Sequence, residues 1–232
     1  GARPQFIKAS NVSKKISENN SISEVILHTG QHFNQNMSNI FFNEMNLPPP
    51  DYNLDINQMN HARMTAKMIE KIEPILIKEK PHGVLVYGDT NSTLAGSLTA
   101  AKLNIPVFHV EAGLRSYNRL MPEEINRVLT DHLSSLLFCP TKNSVNLLAK
   151  EGIVNGVKDC GDVMYDAFLT FNKEIDKNRH ERPKVDSPYV IATIHRQENT
   201  DFKEKLASIF SELDKINNEL KVVIPLHPRT SK

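Results

Sequence analysis

The sequence GVLVYGDTNSTLAGSLTAAKLNIPVFHVEAGLRSYNRLMPEEINR, residues 83–127, decides the fold. It holds two apolar runs, 84–87 and 105–110, and each is followed within two residues by a carboxylate, Asp89 or Glu111. Apolar runs without polar alternation are typical of strands covered on both faces, as in a parallel sheet. Ligands bind outside the carboxyl ends of such strands. We therefore expect Asp89, Glu111 and the following acidic pair at 123–124 to gather at one ligand-binding edge.

The rest of the chain alternates strand-like and helix-like segments in the same way. Strands are predicted at 24–27, 84–87, 105–110, 137–139, 157–160, 189–194 and 221–226. Helices are predicted at 4–19, 34–45, 59–78 (bent or divided at Pro74), 92–103, 122–136, 142–150, 163–175 and 202–216. This alternation predicts an α/β fold of the doubly wound type.

The predicted organisation is a first domain, a linker and the start of a second domain. Residues 1–165 form the first domain, 166–187 a helix and polar linker, and 188–232 the opening of a second α/β unit. The chain starts with a turn into a helix and ends just after a strand-like run. We therefore expect a piece of a longer protein, which lacks the first strand of one domain and the remainder of the other.

Composition narrows the class of protein. With 39% hydrophobic and 24% charged residues among 232, the chain has the makeup of an ordinary globular protein. A net charge of +1 gives no case for nucleic acid or an anionic membrane as partner, and no apolar run approaches the roughly 20 residues that span a bilayer. Cys139 and Cys160 lack metal-type spacing, so we expect reduced core thiols in a cytoplasmic protein.

Asp89 has a structural explanation as well as a functional one. It fits the N-cap of the following helix, for which residues 91–93 offer further capping groups, or a residue of the turn before that helix. The sequence alone leaves the two explanations evenly balanced. Glu111 differs, because a carboxylate directly after a buried strand and beside Ala112-Gly113 has few local partners. We expect Glu111 to face the sheet edge and to require a partner there.

The acidic residues further along are explained most simply by helix surfaces. Glu123 and Glu124 follow a proline in a first turn, where acidic side chains stabilise the helix dipole by about 0.3–1 kcal/mol. Glu123 can also pair with Arg127 one turn later. Asp131-His132 is interpreted as part of a solvated helix face.

Two histidines end strand-like runs and are followed by basic residues. His195 precedes Arg196, and His227 precedes Pro228-Arg229. A histidine in this place is either a functional group or a hydrogen-bonded edge residue. Two of them with basic neighbours predict an anion, and phosphate fits best because arginine contacts it bidentately. Arg3, just before the first helix, fits the same purpose.

Other classes of site lack their motifs. The sequence contains no GxGxxG after a strand, no GxxxxGK[ST], no GxSxG and no HExxH. It therefore gives no indication of a dinucleotide oxidoreductase, a P-loop NTPase, an α/β-hydrolase or a metalloprotease, and we expect no cofactor and no metal. An aromatic content of 6% without a basic patch gives little support for single-stranded nucleic acid as partner.

Six segments carry a family resemblance: GARPQFIK, VYGDTNSTLAGSL, HVEAGLRS, MPEEINR, GDVMYDA and TIHRQEN. In this order and spacing they resemble the signature segments of the non-hydrolysing UDP-N-acetylglucosamine 2-epimerase family. The resemblance implies a GT-B-like fold, with two Rossmann-like parallel-sheet domains and a nucleotide sugar between them. It also implies a cytoplasmic, homodimeric isomerase without a cofactor, serving cell-surface polysaccharide synthesis.

The implied reaction inverts C2 of UDP-GlcNAc to give UDP-ManNAc. UDP leaves by anti elimination, 2-acetamidoglucal stays bound, and UDP adds back after protonation from the opposite face. One group must remove a proton, another must return one, and the leaving diphosphate must be held. The motifs assign catalysis to Asp89, Glu111, Glu123 and His195, and substrate contacts to Arg3, Lys8, Arg127 and Arg196. Glu124 then only begins its helix, and the resemblance does not say which carboxylate is the base.

The resemblance also has open points. Gln31 and His227 match residues that bind an activating second UDP-sugar in some bacterial members, but Asn34 and Lys67 depart from that pattern, so allosteric activation stays open. The segments around residues 89–98 and 120–132 resemble more closely the branch that includes epimerases of diacetamido-glucuronic acid nucleotides. The sugar substituents are therefore open. A GT-B glycosyltransferase and a catalytically silent UDP-sugar sensor are the remaining alternatives.

Overall fold

The computed structural model describes residues 3–30, 47–177, 185, 188–194, 197–226 and 230. These residues belong to two units, Gly1–Glu174 and Ile175–Lys232. The predicted helix at 34–45 lies outside the described residues. The predicted domain boundaries at 165 and 188 stay a prediction.

The first unit alternates helices with short strands. Its elements in chain order are α1 (Arg3–Ser17), β1 (Leu27–His28), β2 (Tyr52–Asn53), α2 (His61–Glu79), β3 (Val84–Tyr87), α3 (Asn91–Lys102), β4 (Val107–Val110), α4 (Pro122–Leu133), β5 (Leu136–Cys139), α5 (Lys142–Lys150), β6 (Val157–Asp159) and α6 (Val163–Lys177), of which residues 175–177 belong to the second unit. A parallel sheet has the order β3-β4-β5-β6, and β1 pairs with β2 in parallel. The α/β class with parallel sheets is confirmed.

Helix α2 shows how the sequence builds the core. Its buried residues recur every fourth position, at Met64, Met68, Ile72 and Leu76, and this spacing makes one apolar face. That face packs in a cluster with buried residues of β3, α3 and β4. The helix is continuous through Pro74, so of the two predicted alternatives, a bend or a division, the division is wrong.

The register of β3 and β4 positions the segments that carry Asp89 and Glu111. Tyr87 at the end of β3 is paired with Val110 at the end of β4, and the Gly88 N–H donates to the Val110 carbonyl at 3.0 Å. The segments that follow the two strands therefore start side by side. Strand β4 begins two residues later than predicted, after Pro106, which has no N–H to give to a sheet.

The second unit contains one parallel strand pair within the described residues. Its elements are β7 (Tyr189–Ile191), α7 (Gln197–Thr200), α8 (Lys203–Asn217) and β8 (Lys221–Val223), and β7 pairs with β8. Both strands end three residues earlier than predicted. In the part of the chain that the structure describes, no helix combines the length and apolar character needed to cross a membrane.

Candidate functional site

A largely buried ion pair lies at the carboxyl ends of β3 and β4. Lys8 of α1, only 4% exposed, donates to the carboxylate of Glu111 directly after β4. The backbone φ of Glu111 is 71°, a left-handed conformation that is uncommon for residues with a Cβ and often marks functional sites. The N–H groups of Glu111 and Ala112 both donate to the Phe138 carbonyl at 3.1 Å, which holds this conformation. Lys8 is thus the partner that Glu111 requires.

Gly88 leaves the space in which this pair forms. Its φ is 63°, and a Cβ at this position would lie 2.8 Å from Nε2 of Gln5, 3.0 Å from Nζ of Lys8 and 3.1 Å from Oε2 of Glu111. A side chain on residue 88 would therefore crowd three polar groups at once. The absence of a side chain lets the β3 turn approach α1 and the end of β4.

Asp89 pairs with Arg127 of α4. The cap of α3 is Thr90, which accepts a hydrogen bond from the Thr93 N–H and completes a capping box with it. The interpretation of Asp89 as an N-cap is therefore wrong. Of residues 91–93, Thr93 contributes to the cap, because its hydroxyl accepts a hydrogen bond from the Thr90 N–H at 3.2 Å. Because Thr90 caps the helix, the Asp89 carboxylate is available to a cation. Within the described residues, the Nε of Arg127 is buried and has no hydrogen-bond partner.

Glu124 fixes the segment that precedes α4. It is 3% exposed and accepts hydrogen bonds from the Ser116 N–H and Oγ, both at 2.9 Å, and from the Tyr117 N–H at 2.8 Å. Burial opposes its ionisation, but these hydrogen bonds and the charge of Arg127 outweigh burial, so the pKa of Glu124 lies below its ordinary value. Arg127 pairs with Asp89 and, at 3.4 Å, with Glu124. The predicted pair of Arg127 with Glu123 is therefore wrong.

Asp131 is a buried residue, so its interpretation as part of a solvated helix face is wrong. It is 1% exposed; its Oδ2 accepts from the Gly113 N–H at 3.1 Å and from Nη1 of Arg115 at 2.7 Å. Sequence reasoning missed Asp131 because the buried residues of α4 are all polar: Glu124, Asn126, Thr130 and Asp131. A polar inward face gives no hydrophobic periodicity. The neighbouring His132 is exposed, as predicted.

A pocket of about 300 Å³ opens beside Glu111, at the lower end of the size range of ligand pockets. It is lined by residues of α1 and β3, by the ends of β4 to β6 and by the start of α6, including Phe138, Cys160, Asp162 and Asp166. Cys160 is an exposed free thiol, so its prediction as a core residue is wrong.

The buried Cys139 matches the prediction of a core thiol. Burial, followed by the charge of Asp131, raises the pKa of Cys139 to about 12.

Several predicted site residues lie outside the described part of the chain. These are Gln31, His195, Arg196 and His227. Arg3 is described only as the first residue of α1. Their predicted roles stay predictions. Among the described residues, no group of three or more His, Cys, Asp or Glu side chains is placed to hold a metal ion.

Comparison with known proteins gives the family. The family model for UDP-N-acetylglucosamine 2-epimerase matches residues 14–232. The chain is 52% identical over 237 residues to the UDP-2,3-diacetamido-2,3-dideoxy-D-glucuronate 2-epimerase of Pseudomonas aeruginosa, and 47% identical over 240 residues to the UDP-N-acetylglucosamine 2-epimerase of Methanocaldococcus jannaschii. These alignments cover 99% and 100% of the chain, and 66% and 65% of the two relatives.

Solved structures agree with this assignment. The Methanocaldococcus jannaschii UDP-GlcNAc 2-epimerase, in complex with UDP-GlcNAc and UDP, matches with a TM-score of 0.92 over 99% of this chain and 65% of that one, at 47% identity. The Neisseria meningitidis UDP-GlcNAc 2-epimerase, bound to UDP-GlcNAc, matches with a TM-score of 0.89 at 33% identity, over 99% of this chain and 66% of that one. The chain therefore belongs to the UDP-N-acetylglucosamine 2-epimerase family, and the predicted GT-B-like class is confirmed.

Proposed function

We propose that this member of the UDP-N-acetylglucosamine 2-epimerase family acts, as the full-length protein, as a UDP-sugar 2-epimerase that converts UDP-GlcNAc to UDP-ManNAc. One observation carries the proposal. Two carboxylates that follow adjacent strands, Glu111 and Asp89, are each paired with a separate cation, Lys8 and Arg127. Two separately paired acid groups suit a reaction that takes a proton from one side of a carbon and returns one to the other.

The reaction proceeds by elimination and re-addition of UDP. A carboxylate of the set Asp89, Glu111 and Glu123 removes the C2 proton, and UDP leaves in the anti sense. The 2-acetamidoglucal that remains is protonated on its opposite face, and UDP then adds back with C2 inverted. The cations of the site, together with the predicted phosphate contacts Arg3, His195 and Arg196, stabilise the negative charge of the departing diphosphate.

Lys8 and Arg127 also prepare the carboxylates for proton transfer. Their side chains are 6% and 15% exposed, so each holds its acidic partner in one orientation with little competition from water. A proton-transfer group that is already oriented costs less to align in the transition state. The strained φ of Glu111 agrees with a group whose placement is set by the site and not by local backbone preference.

A second candidate substrate is a UDP-diacetamido-glucuronate. The observation in its favour is the 52% identity to the Pseudomonas aeruginosa enzyme that is named for this sugar. Both substrates require the same inversion at C2, so they are separated by the sugar alone. A homodimeric state, a cytoplasmic location, a place in polysaccharide synthesis and activation through Gln31 and His227 stay predictions.

The test is solvent exchange at C2. The full-length protein is incubated in D₂O with UDP-GlcNAc and, separately, with the diacetamido-glucuronate nucleotide, and the recovered sugars are examined by NMR. We expect deuterium at C2 and the 2-epimer with UDP-GlcNAc, without an acceptor. Exchange with the diacetamido-glucuronate nucleotide alone would assign the second candidate substrate instead. A GT-B glycosyltransferase releases UDP only with an acceptor, and a UDP-sugar sensor binds without turnover. Absence of exchange with every UDP-HexNAc tried refutes the proposed function.

A further inference from the structure

His109 is a fully buried residue of β4, two positions before Glu111. Both of its ring nitrogens lie at hydrogen-bond distance from an oxygen. Nε2 is 2.7 Å from the carbonyl oxygen of Gly88, and Nδ1 is 2.7 Å from Oδ1 of Asp131. The ring therefore joins the turn that carries Asp89 to helix α4.

These two contacts call for two protons on the ring. A carbonyl oxygen only accepts, so Nε2 carries a proton toward Gly88. A neutral imidazole has a single N–H, and its Nδ1 would then turn a lone pair toward the carboxylate of Asp131. That carboxylate already accepts from Gly113 and from the guanidinium of Arg115, contacts that an ionised oxygen makes best. A proton on Nδ1 completes the set of hydrogen bonds.

The charge balance of the cluster leads to the same protonation state. The ionisable groups around the ring are Asp131, Arg115 and, beyond it, Glu151, which Arg115 contacts bidentately at 2.7 Å. A protonated His109 gives this cluster two positive and two negative charges. With a neutral ring, the cluster has one negative charge that no positive charge balances. This charge is costly, because the side chains of His109, Asp131 and Arg115 are only 0–1% exposed. Cys139 stays a neutral thiol because burial raises its pKa to about 12.

The charged pairs beyond Gly88 do not change this balance. Glu111 is neutralised by Lys8, and Asp89 by Arg127. Each pair contributes no net charge near the ring.

We propose that His109 is a positioning residue, protonated on both ring nitrogens, that sets the spacing of the two carboxylates Asp89 and Glu111. Its Nε2–H holds the carbonyl of Gly88, and the Gly88 N–H is bonded in turn to the Val110 carbonyl at 3.0 Å. The β3 turn is therefore attached to β4 from both sides of Gly88. The positioning role rests on the proposed function, whereas the protonation state does not.

Proton-coupled ¹⁵N NMR tests the protonation state directly. The full-length protein is labelled at histidine, and the spectrum of His109→Gln identifies the His109 signals. We expect a one-bond N–H coupling on both ring nitrogens at neutral pH, because each nitrogen lies 2.7 Å from an oxygen acceptor. A single coupling at neutral pH overturns the proposal.

Asp131→Asn separates the charge from the hydrogen bonds. The asparagine amide can donate to Nδ1 while its oxygen accepts from Gly113 and Arg115. We therefore expect one N–H coupling in this variant, on Nε2, with the contact to Gly88 retained. Two couplings in Asp131→Asn would show that the carboxylate does not hold the second proton and would overturn the assignment.

Turnover of the same variants tests the positioning role. His109→Gln is expected to lower kcat by about 10- to 100-fold with less than about a twofold change in KM, as for other supporting residues of active sites. Asp131→Asn, which keeps the bond to Gly88, loses less than about tenfold. A fall in kcat that matches the loss of folded protein by circular dichroism would refute positioning. If the wild-type protein turns over no UDP-sugar, the proposed function fails while the NMR result stands.

Discussion

Replacing Gly88 with alanine tests whether the close approach around the Lys8–Glu111 pair maintains the site. At a φ of 63°, a residue with a Cβ costs about 1–2 kcal/mol. The new methyl group would lie 2.8–3.1 Å from the polar ends of Gln5, Lys8 and Glu111, which are flexible and move before the backbone does. Movement separates the ion pair and leaves a largely buried lysine poorly satisfied, at a further cost of about 1–3 kcal/mol. The expected total is about 2–5 kcal/mol.

Gly152→Ala is the matched control for this change. Gly152 has a similar φ of 80° in the same unit, but no atom lies within 4 Å of the position that its Cβ would take, so only the backbone cost of about 1–2 kcal/mol applies. Urea unfolding of both variants gives the ion-pair contribution by difference, and turnover of the full-length protein should fall only for Gly88→Ala. Equal losses of unfolding free energy in the two variants, with unchanged turnover, would refute the reasoning.

Three further predictions test separate features of the first unit. Glu111→Gln should abolish turnover of the full-length protein with little change in circular dichroism, and a near-normal rate contradicts the proposed catalytic role of Glu111. Glu79→Gln, the control at a partly exposed, paired carboxylate of α2, should retain turnover. The pKa of Glu124 is lower in the folded protein than its ordinary value of 4.5, so the ionised Glu124 side chain stabilises the fold. This contribution to the free energy of unfolding is complete above pH 4.5 and is lost as the pH falls through the folded-state pKa. The difference in urea midpoint between wild type and Glu124→Gln should therefore shrink from pH 7 to pH 3, and a constant difference contradicts this. Ellman's reagent should label Cys160 in the folded protein and Cys139 only after unfolding; equal rates would be contrary to the burial described.

The fold was predictable from the sequence to the extent that its signals are local. The predicted strand at 84–87 has the bounds of β3, and the predicted helix at 142–150 has the bounds of α5. Both were predictable because the pattern of apolar residues within a segment indicates a strand or a helix. The position of Asp89 and Glu111 at the sheet edge was also predictable, since each closely follows a strand of the sheet. Their immediate surroundings in the chain mark them as edge residues before any tertiary contact is known.

The partners of these carboxylates were not predictable from spacing. Lys8 is 103 positions from Glu111, and Arg127 is 38 positions from Asp89, so tertiary packing decides the pairs. Spacing on α4 suggested Glu123 as the partner of Arg127, whereas Asp89 and Glu124 take that place. A side-chain pair within one helix contributes only a few tenths of a kcal/mol, so tertiary contacts decide which partner Arg127 takes.

Helix α4 connects the segment that follows Glu111 with the turn that carries Asp89, and it does so through its buried polar residues. Glu124 and Asp131 are seven positions apart and so lie on the same face, two turns from each other. Glu124 holds Ser116 and Tyr117, while Asp131 holds Gly113 and Arg115, so α4 fixes both ends of the segment that follows Glu111.

The same helix fixes the turn after β3. Arg127 pairs with the Asp89 carboxylate, and the Asn126 amide donates to the Asp89 carbonyl at 2.9 Å. A shift of α4 would therefore displace Asp89 and the segment after Glu111 together. Apolar replacements on this face could keep the helix packed, yet they would release both carboxylate-bearing segments. The buried polar residues of α4 thus contribute to the arrangement of the site more than to the hydrophobic core.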